Sequence, residues 1–144
     1  DDVWSSLEPG HPLAGLAPRH RACEDGQRWT WDGVDFAMLH PAPGAAPAGA
    51  QPNARSCVLR VSAAGGSALL PGDIEREQEL GLVARHGDLL RSTVLLVPHH
   101  GSRTSSTAPF LAAVAPRVAV VQAGYRNRFG HPAPDVMARY AERG

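Results

Sequence analysis

The chain has 144 residues, enough for one domain with a sizeable core. Hydrophobic residues make up 43% and aromatic residues only 6%, so we expect a core of Leu, Val and Ala. The 14 basic residues, all Arg, balance 14 acidic residues, so binding to nucleic acid or to a membrane surface must depend on local patches. No apolar run approaches the roughly 18 residues of a membrane span, so we expect this piece to be soluble.

The two cysteines, Cys23 and Cys57, do not form a Cys-x-x-Cys group, and a zinc-thiolate site is not expected. Two unpaired, small hydrophobic side chains are the favoured interpretation. The alternative is a disulfide, which needs an oxidising compartment.

The first half of the chain predicts two β-hairpins. Arg28–His40 alternates apolar and polar residues around an Asp32-Gly33 turn. A second hairpin is predicted over 57–71, around a turn of small residues at 63–66. The Pro/Ala/Gly tract at 42–52 has little side chain to bury, and we expect a mobile loop there. Before the hairpins, we expect residues 1–7 to end an element that enters from upstream.

The second half alternates strands and helices, which argues for an α/β layer. The predicted elements are a helix over 74–87, a strand over 91–98, a short helix from Thr107, a buried strand over 118–121 and a helix over 135–143.

The predicted helix over 74–87 follows Asp73, for which two roles are possible. Asp73 suits an N-cap, and it also suits a cation site just past a strand end, preceded by glycine. An apolar face of Leu80, Val83 and Ala84 would pack inward. His86 would be exposed and would complement the helix dipole.

Polar groups follow the ends of three apolar runs, where open α/β sheets present ligands. These groups are Asp73, the pair His99 and His100, and the loop 124–132. Adjacent histidines after a buried strand are hard to explain structurally, because ionisable groups need partners there. The loop interleaves two Arg and two aromatic residues, a pattern typical of nucleic-acid binding. The hydroxyl-rich start of the next helix, from Ser102, would either hold a phosphate or only cap the helix.

Three motifs, in this order and spacing, resemble the metallo-β-lactamase-like domain at the C-terminal end of the ComEC family of DNA-uptake channels. They are Pro71-Gly72-Asp73-Ile74-Glu75, Pro98-His99-His100-Gly101-Ser102 and Gly124-Tyr125-Arg126-Asn127-Arg128-Phe129-Gly130-His131-Pro132. Residues 53–60 resemble the strand entry that precedes the Asp in that family. The resemblance covers about Trp29 to Gly144.

The resemblance implies an αβ/βα sandwich with a di-metal site, holding Zn²⁺ or Mn²⁺ between two sheets. It implies a hydrolase that cleaves DNA phosphodiesters and degrades the non-transported strand during natural transformation. It also implies an inner-membrane parent protein, with this domain on the outer, periplasmic face. Carried onto this chain, the metal ligands are Asp73, His100 and His131, the catalytic residues are His99 and His100, and the DNA contacts are Tyr125, Arg126, Arg128, Ser102 and Arg103.

The chain departs from the family in one respect: the His-x-His-x-Asp-His metal motif does not occur. We therefore expect residues 1–144 to be a single partial domain, the second half of the sandwich. Whether it is an enzyme by itself is open; we predict weak metal binding and no nuclease activity. Its expected partners are DNA, in single strands, and the rest of the membrane channel. The missing sheet would expose apolar surface and permit self-association.

Two other functions remain open at this point. One is a non-catalytic module that binds single-stranded DNA and has a vestigial metal site. The other is a hydrolase of a small ester, lactone or β-lactam. The Arg-rich loop argues against the latter, because such pockets are mostly apolar.

Overall fold

A computed structural model of the chain describes residues 2–8, 10–44 and 51–143, and its strands form two sheets. The small sheet pairs β1 (Asp2–Ser5) with β2 (Arg19–Ala22) in parallel. The large sheet runs in chain order through β3 (Arg28–Trp31), β4 (Val34–His40), β5 (Val58–Ala63), β6 (Gly66–Leu70), β7 (Val94–Leu96) and β8 (Val118–Val120). The helices are α1 (Arg76–His86), α2 (Ala108–Val114) and α3 (Pro134–Ala141).

The antiparallel half of the large sheet confirms both predicted hairpins. Trp31 pairs with Val34 across the first turn, where Asp32 (φ 51°) and Gly33 (φ 75°) both have the positive φ that a two-residue hairpin turn requires. The second hairpin, β5–β6, closes between Ala63 and Gly66.

The other half of the sheet is parallel, because helical crossovers join β6 to β7 and β7 to β8. The chain is therefore an α/β structure with a mixed sheet and flanking helices, as predicted. The expectation that 118–121 is a buried strand was wrong. Val118 is 52% and Val120 is 44% exposed, since β8 is the last strand in the sheet order.

The core lies between one face of the large sheet and helices α1 and α2. Its fully or almost fully buried members are Leu39, Val58, Leu69, Ile74, Leu82, Leu90, Leu95, Phe110, Leu111 and Val114. Burial of such side chains contributes about 1.5–3 kcal/mol each, so this layer dominates the stability. The predicted packing of α2 through Phe110, Leu111 and Val114 is confirmed.

The predicted N-cap of α1 was wrong, and its predicted apolar face was right only in part. The helix begins at Arg76 with Glu75 as its N-cap, because the Gln78 side chain accepts the Glu75 N–H at 3.2 Å, as in a capping box. Asp73 is therefore not the cap. Of the predicted apolar face, Val83 packs against the core, but Leu80 is 43% exposed, Ala84 is exposed, and the fully buried residues of the helix are Glu79 and Leu82.

The buried carboxylate of Glu79 joins α1 to α2. It accepts hydrogen bonds from the backbone N–H groups of Ser106 at 2.5 Å and Thr107 at 2.7 Å. Burial raises the pKa of Glu79, while the hydrogen bonds from Thr107 and Ser106 act in the opposite direction. Thr107 is the N-cap residue of α2, as predicted, but its own side chain makes no capping bond. Glu79 takes that role.

A disulfide links Cys23 to Cys57, with a Cα–Cα distance of 5.6 Å. The favoured interpretation of two unpaired cysteines was therefore wrong, and the alternative holds. Cys23 follows β2 and Cys57 precedes β5, so the cross-link ties the small sheet to the large one.

A polar cluster at the end of α1 corrects the expectation that His86 is exposed. His86 Nε2 lies 2.8 Å from Asp25 Oδ2, and both side chains are mostly buried. Beside them, Arg85 Nη2 lies 3.4 Å from His40 Nδ1, and His40 Nε2 donates to the Ala54 carbonyl at 2.9 Å. Burial lowers the pKa of His40. These contacts fix the helix end to β4 and its neighbouring loops.

The second face of the large sheet carries a continuous set of apolar side chains. Strand register places on it Trp29, Phe36, Met38, Leu59, Val61, Ala68, Leu70, Val94, Leu96, Val118 and Val120. Trp4 stacks on Trp29 at 4.5 Å between ring centroids, and Trp29 stacks on Phe36 at 5.0 Å. Several members stay partly exposed, Leu70 among them.

The predicted mobile loop at 42–52 falls largely outside the described residues, which omit 45–50. Its last residue, Pro52, begins a short 3₁₀ helix that ends at Arg55. Within the described ranges, no helix has the length and apolar character needed to cross a membrane.

Replacing Cys23 and Cys57 by Ser should lower the free energy of unfolding by about 2–4 kcal/mol, because the cross-link restricts the unfolded chain. Urea unfolding followed by circular dichroism measures the change. A reductant should destabilise the wild type and leave the double variant unaffected. Identical midpoints for oxidised and reduced wild type would contradict the prediction.

Candidate metal and nucleic-acid site

Three segments meet where the parallel strands end, and each contains residues that the sequence motifs singled out. The segment after β6 holds Asp73, the segment after β7 holds His99 and His100, and the loop after β8 holds His131. The first two are joined by a hydrogen bond from His99 N–H to the Gly72 carbonyl at 3.0 Å. The structure thus brings the predicted residues to one edge of the sheet.

The backbone at His99 and His100 has an unusual conformation that fixes both side chains. His99 (φ 50°), His100 (φ 56°) and Gly101 (φ 80°) are three successive residues with positive φ. Non-glycine residues rarely adopt such angles, and their presence in series marks a constrained segment.

Glycine is required at position 101 by a close neighbour. A Cβ atom there would lie 2.6 Å from Pro132 Cβ, far inside normal contact. The Ala133 N–H also donates to the Gly101 carbonyl at 2.9 Å. This contact holds the loop that carries His131 against the His99–His100 segment.

Asp73 and His100 face each other, with 3.5 Å between Asp73 Oδ1 and His100 Nε2. The other ring nitrogen of His100, Nδ1, lies 2.8 Å from the Gln122 carbonyl. A carbonyl can only accept, so Nδ1 carries the hydrogen and a neutral His100 directs its unprotonated Nε2 toward the carboxylate. Asp73 is oriented by its N–H, which donates to Ser56 Oγ at 3.2 Å.

His99 forms a second carboxylate pair. Its Nδ1 lies 3.3 Å from Glu75 Oε1 and 3.4 Å from Thr104 Oγ1. Glu75 in turn accepts from Asn53 Nδ2 at 3.2 Å. Glu75 was not among the predicted site residues, although its place two residues after Asp73 is the signal that could have found it.

His131 is held by Asn127, another residue that the motif analysis left without a role. Asn127 Nδ2 donates to the carbonyls of Gly124 at 2.9 Å and His131 at 2.7 Å, and Asn127 Oδ1 accepts the His131 N–H at 3.0 Å. The His131 ring lies 6.0 Å from His99 between centroids. Its Nδ1 is buried and has no hydrogen-bond partner among the described residues.

The loop after β8 displays two cation–aromatic pairs to solvent. Arg126 lies over Tyr125 at 5.2 Å, and Arg128 lies over Phe129 at 4.8 Å. Tyr125 is 89% and Phe129 is 66% exposed, which is unusual for large apolar rings. The arrangement suits contact with phosphates and bases.

The two remaining predicted DNA contacts differ in accessibility. Ser102 is buried, and its hydroxyl pairs with Thr104 Oγ1 at 3.1 Å. Arg103 is exposed and lies 3.5 Å from Asp135. Arg103 is therefore the more accessible of the two.

The donor set has the right chemistry for Zn²⁺ or Mn²⁺, which both accept imidazole and carboxylate ligands. The orientation of His100 by a backbone carbonyl is also typical of metal-binding histidines. Among the residues that the structure describes, however, no three His, Cys, Asp or Glu side chains lie close enough together to hold an ion. The described residues provide one pair of ligands, Asp73 and His100, with His99 and His131 nearby, and not a full coordination sphere.

Comparison with known proteins gives relatives for most of the chain, although no protein-family model matches it. The chain is 44% identical over 135 residues to Competence protein ComA of Neisseria gonorrhoeae, covering 94% of this chain and 19% of that protein. It is 36% identical over 117 residues to Recombination protein 2 of Haemophilus influenzae, covering 81% of this chain and 14% of that protein. It is 35% identical over 104 residues to ComE operon protein 3 of Bacillus subtilis, covering 72% of this chain and 13% of that protein.

The chain spans less than a fifth of the length of these curated relatives. It is thus homologous to a segment of bacterial competence proteins.

Gly101→Ala should destabilise the chain by about 1 kcal/mol for the positive φ and by about 1–3 kcal/mol more for the clash with Pro132. Gly33→Ala is the matched control, since its φ of 75° is similar and nothing lies within 4 Å of the added Cβ. Urea unfolding compares the two variants. Equal destabilisation of both would show that Pro132 does not constrain Gly101.

Proposed function

We propose that the chain is the C-terminal half of a metallo-β-lactamase-like hydrolase domain in a DNA-uptake protein of the ComEC family. The complete domain would use Zn²⁺ or Mn²⁺ to cleave DNA phosphodiesters and would degrade the non-transported strand during natural transformation. The observation that carries the proposal is the Asp73–His100 pair. The competence proteins among the relatives support the biological setting.

The geometry of this pair favours a cation between its members. Nδ1 of His100 is bonded to the Gln122 carbonyl, so in the neutral ring Nε2 is an acceptor, and it stands 3.5 Å from a carboxylate oxygen that is also an acceptor. A proton or a metal ion offsets their repulsion. Because the pair lies at the edge of the sheet with both side chains partly exposed, a cation from solvent can reach it.

Each residue of the site then has a role. Asp73 and His100 bind the metal, and His131 is a further ligand or acid. His99, oriented by Glu75, is placed to transfer a proton. A divalent metal, when bound, activates water and stabilises the leaving oxygen. Arg126 and Arg128 hold the phosphates of the strand.

The apolar second face of the large sheet supports the half-sandwich interpretation. Its side chains run across all six strands and several remain partly exposed, as expected of a surface that another layer covers. In the proposed domain that layer belongs to the segment with the His-x-His-x-Asp-His motif, which would supply the missing ligands. Without it, the same face would mediate self-association.

The disulfide supports the proposed location. Such cross-links persist in the bacterial periplasm and are rare in the cytosol. The Cys23–Cys57 bond therefore favours the periplasmic face of the inner membrane for this domain.

A second candidate function is a non-catalytic module for single-stranded DNA, in which the metal residues are vestigial. The exposed Tyr125 and Phe129, each paired with an Arg, favour it. The hydrolase requires Asp73 as a metal ligand, whereas the DNA-binding module does not require it.

Calorimetric titration of the chain with Mn²⁺ and with Zn²⁺ should detect weak binding that Asp73→Asn lowers by at least about tenfold, because the carboxylate is a ligand. Asp88→Asn, an exposed residue of the same type, is the matched control. Equal metal affinities of the wild type and Asp73→Asn would show that Asp73 is not a metal ligand.

A chimera tests the biological role. This chain replaces the matching segment of Competence protein ComA in Neisseria gonorrhoeae, and the frequency of transformation is measured. We expect the chimera to support transformation and both Asp73→Asn and His100→Ala to reduce it, because cleavage needs the metal. If the chimera transforms normally with either substitution, the hydrolase proposal fails and the DNA-binding module is favoured.

Arg126→Ala combined with Arg128→Ala should weaken binding of single-stranded DNA and reduce its dependence on salt, because about two phosphate contacts are lost. Arg28→Ala with Arg117→Ala removes the same charge from exposed positions elsewhere. Fluorescence anisotropy at several salt concentrations compares the pairs. Equal losses of DNA affinity in the two double variants would indicate a general effect of charge, not specific contacts of the loop.

A further inference from the structure

A small open cavity lies beside the Asp73–His100 pair. Its volume is about 220 Å³, and its walls are His100, Ala123, Gly124, Asn127, Phe129 and His131. This is below the roughly 300 Å³ at which pockets for drug-sized ligands begin. The cavity therefore suits one ring system, not a complete nucleotide.

The cavity has flat aromatic walls. The rings of Phe129 and His131 are stacked, with centroids 5.8 Å apart and planes inclined by 17°. Phe129 is 66% exposed, so its apolar ring remains accessible to a ligand. Arg128 covers the ring at 4.8 Å, and this exposed side chain can move aside or stack on a bound ring.

The cavity is also pre-formed. The Asn127 side chain donates hydrogen bonds to the Gly124 and His131 carbonyls and accepts one from the His131 N–H, so it holds the start and the end of the loop in fixed positions. The ring of His131, a wall of the cavity, is thereby held in place.

We propose that this cavity binds one nucleobase of single-stranded DNA, and so holds the attached phosphate next to Asp73 and His100. The choice of DNA as the ligand rests on the proposed function. Phe129 supplies the stacking surface, His131 a second aromatic wall, and His100 the wall shared with the metal pair. Binding by stacking accepts every base, as a nuclease of imported DNA requires.

The test uses a short oligonucleotide in which one thymine is flanked on both sides by abasic sugars, and a fully abasic oligonucleotide of the same charge. Fluorescence anisotropy with the wild-type chain, in EDTA, should show that the thymine tightens binding by about 5- to 150-fold. Phe129→Ala should abolish this gain, whereas Trp31→Ala, which removes an exposed aromatic ring on the first hairpin, should retain it. No gain in the wild type, or retention of the gain in Phe129→Ala, overturns the proposal.

A second variant guards against a folding defect in the loop. Ala123→Leu keeps Phe129 and adds a larger side chain at another residue of the cavity wall, so it should also abolish the gain. Retention of the gain in this variant overturns the proposal. Because EDTA removes the metal, the outcome does not depend on cleavage. Failure of the hydrolase proposal would appear instead in the metal titration and the chimera.

Discussion

The contact between Gly101 and Pro132 is the constraint on which the candidate site depends. A side chain at position 101 would collide with the proline at 2.6 Å, so only glycine lets the two loops touch. The contact places the ring of His131 6.0 Å from His99 and brings the segments after β7 and β8 together. His99 N–H completes the arrangement by bonding to the Gly72 carbonyl. Three strand ends are thereby joined by two backbone hydrogen bonds and by the packing of Pro132 on Gly101, before any metal or DNA is considered.

The sequence predicted those parts of the fold whose signals are local. The Asp32-Gly33 turn and the alternation around it indicate a hairpin without reference to the rest of the chain. The start of α1 was wrong because Glu75 and Gln78 form a capping box that competes with Asp73 for the N-terminus. The small sheet was missed because β2, with the sequence Arg-His-Arg-Ala, has no apolar alternation that would indicate a strand.

The candidate site was predictable to a similar extent. Ionisable residues after apolar strands indicated where Asp73, His99 and His100 would lie, since parallel strands end at one edge. The partners of these residues were not predictable: Gln122 acts through its carbonyl, a group that every residue carries. Asn127 looked like an ordinary loop residue, and its three bonds depend on the folded path of the loop. The disulfide could not be chosen over free thiols because spacing alone does not report the distance between cysteines in the fold.

The segments of the site follow strands that differ in the number of neighbouring strands. Asp73 and His100 follow β6 and β7, which have neighbours on both sides, whereas the loop with Tyr125 and Phe129 follows β8, which has a neighbour on one side in the described sheet. The side chains of Tyr125, Arg126, Arg128 and Phe129 are exposed, so their replacement leaves in place the contacts that Gln122, Asn127 and Pro132 make within the site. The exposed part of the loop can therefore vary in evolution while the Asp73–His100 pair keeps its geometry, and the two parts of the site need not diverge at the same pace.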